Sequence, residues 1–262
     1  MSSVIFLPNT VRVKSMFSSW RKTTNLLNVQ KQVKGIMNAI SGRHFGTDGK
    51  TEKHTVCVEG NIGSGKTTLL EYFSTYPYTQ VTKEPVDKWR NIKGMNALEY
   101  MYKDASRWGL TFQTYVQLTM LEIHTQPQVQ RVKMMERSIY SAKYCFVENL
   151  YQSGKMPEIE YTVLTEWFDF LLKTQDIKVD LIVYLKTKPE TVLRRIKERC
   201  RPEEKQIPLE YLETLHNLHE DWLIKKKFPL PAPVLVLNGE FEKEEMIKEY
   251  ESYTPRILRG PA

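Results

Sequence analysis

A glycine-rich segment between an apolar run and an amphipathic run constrains this chain more than any other feature. Residues 60–67 fit the pattern G-x-x-x-x-G-K-[ST] in full. The apolar run at 56–58 predicts a short buried strand, and residues 67–73 predict the start of a helix. A strand, a glycine-rich loop and a helix in this order surround phosphate oxygens with backbone N–H groups. The segment therefore predicts an α/β fold that binds a nucleoside triphosphate.

The motif also gives each residue type in the loop a role. Gly60, Gly63 and Gly65 allow the tight turn that points successive N–H groups inward. Lys66 supplies a positive charge to the outer phosphates, and the Thr67 hydroxyl is placed to bind Mg²⁺. The alternative is a glycine-rich turn that binds nothing, and the order of strand, loop and helix argues against it. The predicted triphosphate-binding residues of the loop are Gly60, Asn61, Ile62, Gly63, Ser64, Gly65, Lys66, Thr67 and Thr68.

The excess of basic residues belongs to the amino end of the chain. The sequence contains 38 Lys and Arg and 31 Asp and Glu, and residues 1–47 hold seven of the basic residues and no acidic one. The remainder is balanced, so it gives no support for a nucleic-acid-binding face. Residues 1–50 are also rich in Ser, Thr and Asn, which is typical of a mitochondrial transit peptide; a disordered basic tail of a cytosolic protein is the alternative. We therefore expect a leader at 1–50 and one folded domain at 51–262.

The cysteines and the apolar runs bear on the compartment. Cys57, Cys145 and Cys200 are scattered and form no C-x-x-C pair, which fits a reducing compartment and predicts packing residues. No apolar run approaches the length of a transmembrane helix, so no membrane partner is expected.

Strand and helix patterns alternate through the folded part. This alternation predicts a parallel sheet of about five strands flanked by helices. Asp180 falls at the start of one strand, where a polar edge residue is a more ordinary interpretation than a metal ligand. The predicted strands are 56–59, 81–84, 132–136, 179–185 and 234–237. The predicted helices are roughly 96–125, 141–153, 160–175, 189–200, 208–224 and 241–253.

Two acidic residues fall where predicted strands end. Ligands of parallel α/β sheets bind beyond the carboxyl ends of the strands, which places Glu84 and Glu136 towards the phosphate site. A carboxylate at Glu84 can accept a hydroxyl proton during phosphoryl transfer. The alternatives are that Glu84 before Pro85 only ends a strand and that Glu136 and Arg137 form a surface ion pair.

Two amides share a helix face with apolar residues. Gln113, Val116, Gln117 and Met120 lie at i, i+3, i+4 and i+7. Buried amides need partners, and a ligand with a planar polar edge would supply them. Glutamine has an acceptor and two donors, so it can pair at two points with a pyrimidine, and a flipped amide reads thymine or cytosine equally.

An arginine-rich segment at 194–201 ends a predicted helix before Pro202. Arg195 and Arg199 are i, i+4 neighbours and could close over a triphosphate as a basic lid. A solvated basic helix end is the alternative.

Together these segments resemble the deoxyribonucleoside kinase family. The resemblance runs from about Thr55 to the strand at 234–237 and rests on several motifs in combination. These motifs are the loop at 60–68, Glu84-Pro85-Val86 with Trp89, Arg107-Trp108-Gly109, Glu136-Arg137-Ser138 and the arginine-rich segment. The resemblance implies a P-loop kinase fold with an Arg-rich lid, a deoxynucleoside kinase domain at 51–262, ATP as phosphate donor, and a homodimer with feedback inhibition by the end-product triphosphate.

The resemblance also implies a catalytic set of Glu84, Arg137 and Lys66. Glu84 matches the general base that takes the 5′-hydroxyl proton, and Arg137 matches the residue that holds Glu84 and the 5′-oxygen. Arg195 and Arg199 complete the ATP-binding set. Thr67 and Glu136 match the residues that hold Mg²⁺, partly through water.

For the nucleoside, Gln113 matches the residue that reads the base, with Trp89 and Phe146 beside it. Tyr102 and Glu204 match the pair that recognises the sugar 3′-hydroxyl. The full predicted substrate-binding set is Glu84, Trp89, Met101, Tyr102, Gln113, Val116, Met120, Arg137, Ala142, Phe146 and Glu204.

The lining of the base pocket narrows the substrate. Val116, Met120 and Ala142 resemble a pocket that accepts thymidine, whereas deoxycytidine-type pockets carry an Arg–Asp pair at the second and third of these positions. One departure is Lys197, which stands where some relatives have a lid arginine and which lacks the bidentate fork of that residue.

The resulting hypothesis is ATP-dependent 5′-phosphorylation of pyrimidine deoxyribonucleosides (thymidine, deoxycytidine, deoxyuridine) in mitochondrial salvage. A nucleoside monophosphate kinase is one alternative; it would need an extra basic site for the acceptor phosphate and usually an Arg in place of Glu84. A GTPase switch should carry Asn-Lys-x-Asp, which does not occur here. A nucleic-acid-dependent ATPase would need a basic face outside the leader.

Overall fold

Five parallel strands form the centre of the part of the chain that the computed structural model describes, residues 53–204 and 207–259. All of these residues belong to one unit, Thr51–Ala262. The predicted leader at 1–50 lies outside the described residues. The strands are β1 (His54–Glu59), β2 (Thr79–Thr82), β3 (Val132–Glu136), β4 (Leu181–Lys186) and β5 (Val234–Asn238).

The first strand in the chain is the middle strand of the sheet. The order is β2-β3-β1-β4-β5, and β1 pairs in parallel with β3 on one side and β4 on the other. Val56 lies opposite Met134 of β3 and Leu181 of β4. All six residues of β1 are buried. The loop after β1 therefore opens at the middle of the carboxyl edge, where such sheets bind ligands.

Helices cover both faces of this sheet. One helix, α5, has three consecutive parts, of which the middle one is a π-helix. The helices are α1 (Lys66–Phe73), α2 (Val86–Arg90), α3 (Ala97–Lys103), α4 (Ala105–Thr125), α5 (Ile139–Ser141, Ala142–Val147 and Glu148–Gln152), α6 (Glu158–Thr174), α7 (Pro189–Arg199), α8 (Leu209–Leu223) and α9 (Lys243–Arg259). A 3₁₀ turn, Pro202–Glu204, follows α7.

Two apolar clusters pack against the two faces. Successive strand residues point to opposite sides, so Met134 joins one cluster and Met135 the other. Trp222 of α8 is fully buried in the cluster that contains Met135, and Phe73 of α1 is fully buried in the other. The fold is thus a parallel sheet between two helical layers, as the alternating sequence pattern predicts.

Most predicted elements are present with shifted ends. The strand at 132–136 has the predicted bounds, whereas β2 ends at Thr82 and leaves Glu84 in the connection beyond the strand. The predicted helix 96–125 is wrong as a single element, because it is two helices, α3 and α4. Asp104 separates them: its backbone is non-helical (φ −147°, ψ 85°), and its carboxylate accepts a hydrogen bond from the N–H of Arg107 at 3.1 Å.

Two further helices differ from the sequence expectation. The short α2 was not predicted, since five residues are too few to show a helical period. Helix α9 continues to Arg259 through Pro255, beyond the predicted end at 253. Prolines usually end helices because they lack an N–H group, and this one does not.

The expectations for the cysteines are confirmed in part, and the expectation for Asp180 is confirmed. Cys57 and Cys145 are buried as predicted, but the prediction is wrong for Cys200, which is exposed at the end of α7 with φ 53°. Asp180 has the structural role expected of it, since its Oδ2 accepts a hydrogen bond from the N–H of Thr55 at 2.7 Å. Among the described residues, the helices include none whose length and apolar character would suffice to cross a bilayer.

Candidate active site

The glycine-rich loop joins β1 to α1 at the middle of the sheet edge. Gly60 has φ 141°, and a Cβ there would lie 2.8 Å from the carbonyl oxygen of Leu185, so no larger residue fits. Gly63 has φ 80°, and a Cβ there would lie 3.0 Å from the carbonyl oxygen of Val192. Helix α1 begins directly after Gly65, so the positive end of its dipole points at the loop. The loop thus has the backbone form that an anion site requires.

Lys66 and Thr67 lie at the first turn of α1. The Nζ of Lys66 is buried and donates to the carbonyl oxygens of Gly60 at 3.1 Å and Asn61 at 2.8 Å. Burial, and after it the nearby Arg137, lowers the pKa of Lys66.

Asn61 fixes the loop with its side chain. Its amide nitrogen donates to the carbonyl of Leu212 at 2.8 Å, which connects the loop to α8.

A cavity of about 320 Å³, which we call the loop cavity, lies over this turn. It brings together most of the predicted triphosphate-binding residues with two arginines from α7. Its predicted wall residues are Gly63, Ser64, Gly65, Lys66, Thr67, Thr68, Glu136, Arg195 and Arg199. Gly60, Asn61 and Ile62 do not line it.

A second cavity of about 300 Å³, the inner cavity, adjoins the first. The two share Gly63, Lys66, Thr67, Glu136 and Arg199. Nine predicted substrate-binding residues meet on its wall although they come from seven separate helices, turns and loops. They are Glu84, Trp89, Met101, Tyr102, Gln113, Val116, Arg137, Phe146 and Glu204.

Glu84 and Arg137 form a polar pair on the wall of the inner cavity, near Glu136 and Lys66, which both cavities share. Arg137 Nε lies 3.1 Å from Glu84 Oε1, and the two side chains are 5% and 18% exposed. The geometry is that of an ion pair, because neither Nε nor Nη1 of Arg137 has an aligned hydrogen-bond partner. Burial raises the pKa of Glu84, with Arg137 opposing and Glu136 adding to the rise. A carboxylate with a raised pKa is a better proton acceptor.

The backbone and ring contacts of Arg137 hold it in place. Its φ is 62°, an uncommon value for a residue with a side chain. Its N–H donates to the carbonyl of Val58 at 2.9 Å, and its guanidinium carbon lies 4.7 Å from the ring centre of Phe146. The strained backbone therefore aims the side chain across the sheet edge, where an aromatic face supports it.

The far end of the inner cavity has aromatic and amide walls. Gln113 is 2% exposed, and its Oε1 has no hydrogen-bond partner among the described residues. Trp89 donates from Nε1 to the Thr119 hydroxyl at 2.9 Å and packs edge-on against Phe112, with ring centres 5.7 Å apart. Burial raises the pKa of Tyr102 well above its ordinary value, so this hydroxyl stays protonated and can donate. These groups can recognise a flat heterocycle with a polar edge.

Two predicted substrate-binding residues do not line either cavity. Met120 and Ala142 are 1% and 3% exposed and lie in the apolar cluster. Met120 is seven residues after Gln113, which is about 10 Å further along the axis of α4. Gln117 also lines neither cavity and is fully buried, and neither of its amide atoms has a hydrogen-bond partner within the described part of the chain. The shared helix face was correctly inferred, but the cavity covers only its first turn.

The arginine-rich end of α7 is anchored rather than solvated. Arg195 donates to the carbonyl oxygens of Gly239 at 2.8 Å and Phe241 at 2.9 Å. Arg199 donates to both carboxylate oxygens of Glu204, from Nε at 2.7 Å and Nη2 at 2.6 Å. Arg199 thereby links the loop cavity to the wall of the inner cavity. Lys197 lines neither.

Glu59 is a buried acid of this site that the sequence reasoning missed. It is fully buried at the end of β1, and its Oε1 accepts a hydrogen bond from the Ser138 hydroxyl at 2.6 Å. Burial raises the pKa of Glu59 to about 7, against the Ser138 hydrogen bond and the charge of Arg137. The available signal was an acid ending an otherwise apolar strand. Glu59 itself lines neither cavity; the inner-cavity residues that were not foreseen are Lys83, Val86, Asp87, Arg90, Leu98, Phe112, Arg201 and Tyr211.

Thr67 and Glu136 are the predicted metal ligands, and the structure brings them together. The Thr67 hydroxyl donates to Oε1 of Glu136 at 2.8 Å, on the wall shared by both cavities. Both offer oxygen atoms, the donors that Mg²⁺ prefers, and Mg²⁺ commonly takes few protein ligands and completes its shell with water and phosphate. The pair fits such an ion. Within the described ranges, no group of three or more His, Cys, Asp or Glu is placed to hold a metal.

Known proteins match the chain over this whole framework. Residues 56–258 match the family model of the deoxynucleoside kinases. Mitochondrial thymidine kinase 2 of Homo sapiens is 61% identical over 210 residues, which cover 80% of this chain and 79% of that protein. Mitochondrial deoxyguanosine kinase of Xenopus laevis is 37% identical over 216 residues, with 71% and 82% covered. Deoxycytidine kinase of Homo sapiens is 35% identical over 233 residues, with 77% and 88% covered.

Proposed function

The chain belongs to the deoxynucleoside kinase family, and from this premise we propose that it phosphorylates pyrimidine deoxyribonucleosides at the 5′-hydroxyl in mitochondria. Its acceptors are thymidine, deoxycytidine and deoxyuridine, its donor is ATP, and its products enter nucleotide salvage. The mitochondrial site rests on the 61% identical human relative and on the leader at 1–50, whose first 47 residues hold no Asp or Glu, with the kinase domain at 51–262.

The observation that carries the proposal is the position of Glu84. It lies on the wall of a nucleoside-sized cavity, near Glu136 and Lys66, which that cavity shares with the loop cavity, and burial raises its pKa. A hydroxyl placed there gives its proton to the Glu84 carboxylate as it attacks the γ-phosphorus of ATP. Arg137, 3.1 Å away, orients the carboxylate and is close enough to stabilise the developing charge. Most of the catalytic gain in such a reaction comes from positioning and electrostatics.

The donor side follows from the loop. Backbone N–H groups of the loop and Lys66 hold the phosphates, and Arg195 and Arg199 close the cavity from α7. Thr67 and Glu136 would hold Mg²⁺, which would offset the negative charge of the phosphates.

The acceptor side follows from the inner cavity. The unpaired Oε1 of Gln113 offers a hydrogen-bond acceptor to a base edge, with Trp89 and Phe146 beside the ring. Tyr102 and Glu204 line the same cavity and would bind the sugar 3′-hydroxyl. Val116 lines the base end as an uncharged side chain, which leaves room for the thymine methyl group. Met120 and Ala142 support this lining from behind.

We also propose that two copies of the chain form a homodimer through α6, without nucleic acid or membrane as partner. The inner face of this helix is buried through Leu164, Phe168 and Leu171. Its outer face exposes four more large apolar side chains at helical spacing. They are Ile159, Val163, Trp167 and Phe170, which are 69%, 56%, 47% and 52% exposed. A helix that is apolar on two faces is stable when both are covered.

The test is a product assay with ATP and Mg²⁺ on separate samples of thymidine, deoxycytidine, deoxyguanosine and thymidine monophosphate. We expect monophosphates from thymidine and deoxycytidine and little from deoxyguanosine. Phosphorylation of thymidine monophosphate alone would make the chain a nucleotide kinase and would remove the role given to Glu84.

The matched variant is Glu84→Gln, which keeps the shape of the side chain and removes its basicity. We expect turnover to fall by about 10²–10⁴-fold while thymidine still binds within about threefold, measured by calorimetry. Near-normal turnover in this variant would contradict the assignment of the base even if the product assay succeeds.

A further inference from the structure

A short π-helix interrupts the helix that carries part of the inner-cavity wall. Residues Ala142–Val147 are π-helical, between the α-helical parts Ile139–Ser141 and Glu148–Gln152 of α5. Such segments are rare, hold one extra residue per turn, and occur frequently at functional sites. This one contains Phe146, which lines the inner cavity.

A buried ion pair spans the same segment. Lys143 Nζ lies 2.5 Å from Glu148 Oε1, and the two side chains are 4% and 6% exposed. The hydroxyl of Tyr161, from α6, donates to the same carboxylate oxygen at 2.7 Å and accepts from Lys143 at 3.1 Å. Lys143 Nζ also lies 4.2 Å from the centre of the Tyr161 ring. We call these three residues the lysine cluster.

The spacing of the pair depends on the π register. In an α-helix, residues five apart point about 140° away from each other, too far for a short contact across the helix surface. The wider π turn brings i and i+5 to the same side. Lys143 and Glu148 are five residues apart, so in an α register they could not form an ion pair and each buried charge would lack its partner. The ion pair and the π register therefore stabilise one another.

The π register in turn places the catalytic groups. Phe146 lies inside the π segment, and its ring centre is 4.7 Å from the guanidinium carbon of Arg137. Arg137 is 3.1 Å from Glu84. A return to the α register would rotate Phe146 relative to Ser141 and remove the aromatic support of Arg137.

We propose that Lys143, Glu148 and Tyr161 are positioning residues that hold the π register of α5 and so keep Phe146 and Arg137 in place for the deoxynucleoside acceptor. None of the three lines the inner cavity or the loop cavity. The inference rests on the proposed function, because the acceptor it refers to is the deoxynucleoside.

The test compares Lys143→Met with Lys143→Arg in the full chain. We expect Lys143→Met to lower kcat/KM for thymidine at least about tenfold, with the KM for ATP changed less than about twofold. Lys143→Arg keeps the positive charge and should restore kcat/KM to within about threefold of wild type. A purely structural lysine would not produce this separation between the two substrates.

A second variant guards against misfolding. Lys143→Met with Glu148→Gln removes both charges together, so no unpaired ion remains buried. We expect this double variant to recover thermal stability relative to Lys143→Met, while its kcat/KM for thymidine stays reduced.

The matched control is Lys133→Met. Lys133 is also buried, and its Nζ donates to the carbonyls of Ile123 at 2.7 Å and His124 at 2.8 Å, at the end of α4 away from both cavities. The Lys133→Met variant should have a lower melting temperature than wild type and unchanged KM values for thymidine and for ATP.

Wild-type kcat/KM for thymidine in the double variant, or equal losses for thymidine and ATP, would overturn the inference while leaving the proposed function intact. A wild-type chain that phosphorylates no deoxynucleoside would overturn both.

Discussion

Five buried or half-buried charges meet where β1 and β3 end. They are Glu59, Lys66, Glu84, Glu136 and Arg137, with the two cations between the carboxylates. Burial raises the pKa of Glu59 and of Glu84 and lowers that of Lys66, and neighbours of opposite charge partly offset each shift. Lys66 and Arg137 are already desolvated in the folded chain. A triphosphate that binds here does not have to remove water from these cations, which favours rapid and tight binding.

Glu59 gives this group a measurable dependence of stability on pH. Its pKa is about 7 in the folded chain against an ordinary value of 4.5. A raised pKa in an acid means that its contribution to stability is full below about pH 4.5 and is lost as the pH rises through about 7. The Glu59→Gln variant cannot titrate. Between pH 5 and pH 8 we therefore expect the unfolding free energy of wild type to fall relative to that of the variant, by up to about 3 kcal/mol.

Urea unfolding of both proteins at pH 5, 6, 7 and 8 measures this difference. The two proteins share all other titrating groups; Lys66, whose pKa the charge of Glu59 raises, is a neighbour whose titration differs between them. A difference that stays constant across the four pH values would show that Glu59 is ionised throughout.

Individual site residues could be predicted from the sequence where they belong to a recognisable motif. Glu84 was found from its place at a predicted strand end, Gln113 from its place on a helix face and Arg137 from the resemblance to the family, and all three lie on one cavity wall. Glu59 was missed because its importance comes from burial beside Ser138, which is remote in sequence. Met120 was placed in the pocket on the resemblance to the family, and the helix face that it shares with Gln113 does not say how far a cavity extends along it.

Among the elements, the glycine-rich loop is the most constrained. Gly63 combines a φ of 80° with a close approach to Val192. In Gly63→Ala, the added Cβ would meet the Val192 carbonyl oxygen at 3.0 Å, so the loop must shift. We expect ATP affinity to fall at least about tenfold and thymidine affinity to stay within about threefold, measured by calorimetry with each ligand.

Gly154→Ala is the control for backbone strain alone. Gly154 has φ 68° and no atom within 4 Å of its would-be Cβ, in the turn between α5 and α6. It should lower stability by about 1 kcal/mol and leave ATP binding unchanged. Equal losses of ATP affinity in the two variants would show that the close contact at Gly63 is unimportant.

Element types were predictable, and their ends were less so. The strand at 132–136 was correct because both flanks are polar. The long helix was divided by Asp104, whose side chain competes for backbone N–H groups and so acts as a cap inside an otherwise continuous apolar period. The π segment had no sequence signal, because its spacing depends on a buried pair that involves Tyr161 of another helix.

For the whole molecule, the outer face of α6 predicts the oligomeric state. Trp167 and Phe170 stack with ring centres 5.8 Å apart and are about half exposed. We expect Trp167→Glu with Phe170→Glu to convert a dimer to a monomer, because two charges would have to enter the interface without partners. Sedimentation velocity on purified protein measures this change.

Ile224→Glu is the control, since Ile224 is 41% exposed at the end of α8, on a different helix. It should leave the sedimentation coefficient unchanged. A wild-type chain that sediments as a monomer at all concentrations would remove the homodimer from the proposal.

The central place of β1 has a consequence for the order in which the chain can fold. This strand is made first, yet both of its neighbours, β3 and β4, come much later in the sequence. A chain that emerges amino end first therefore carries its phosphate loop on an apolar strand that lacks one neighbour until Glu136 has appeared and the other until Lys186 has appeared. Such non-local pairing is slow to form. Until about 70% of its length (Lys186 of 262 residues) is available, a nascent polypeptide lacks the strand pairs that hold the loop, and its exposed apolar strand favours aggregation.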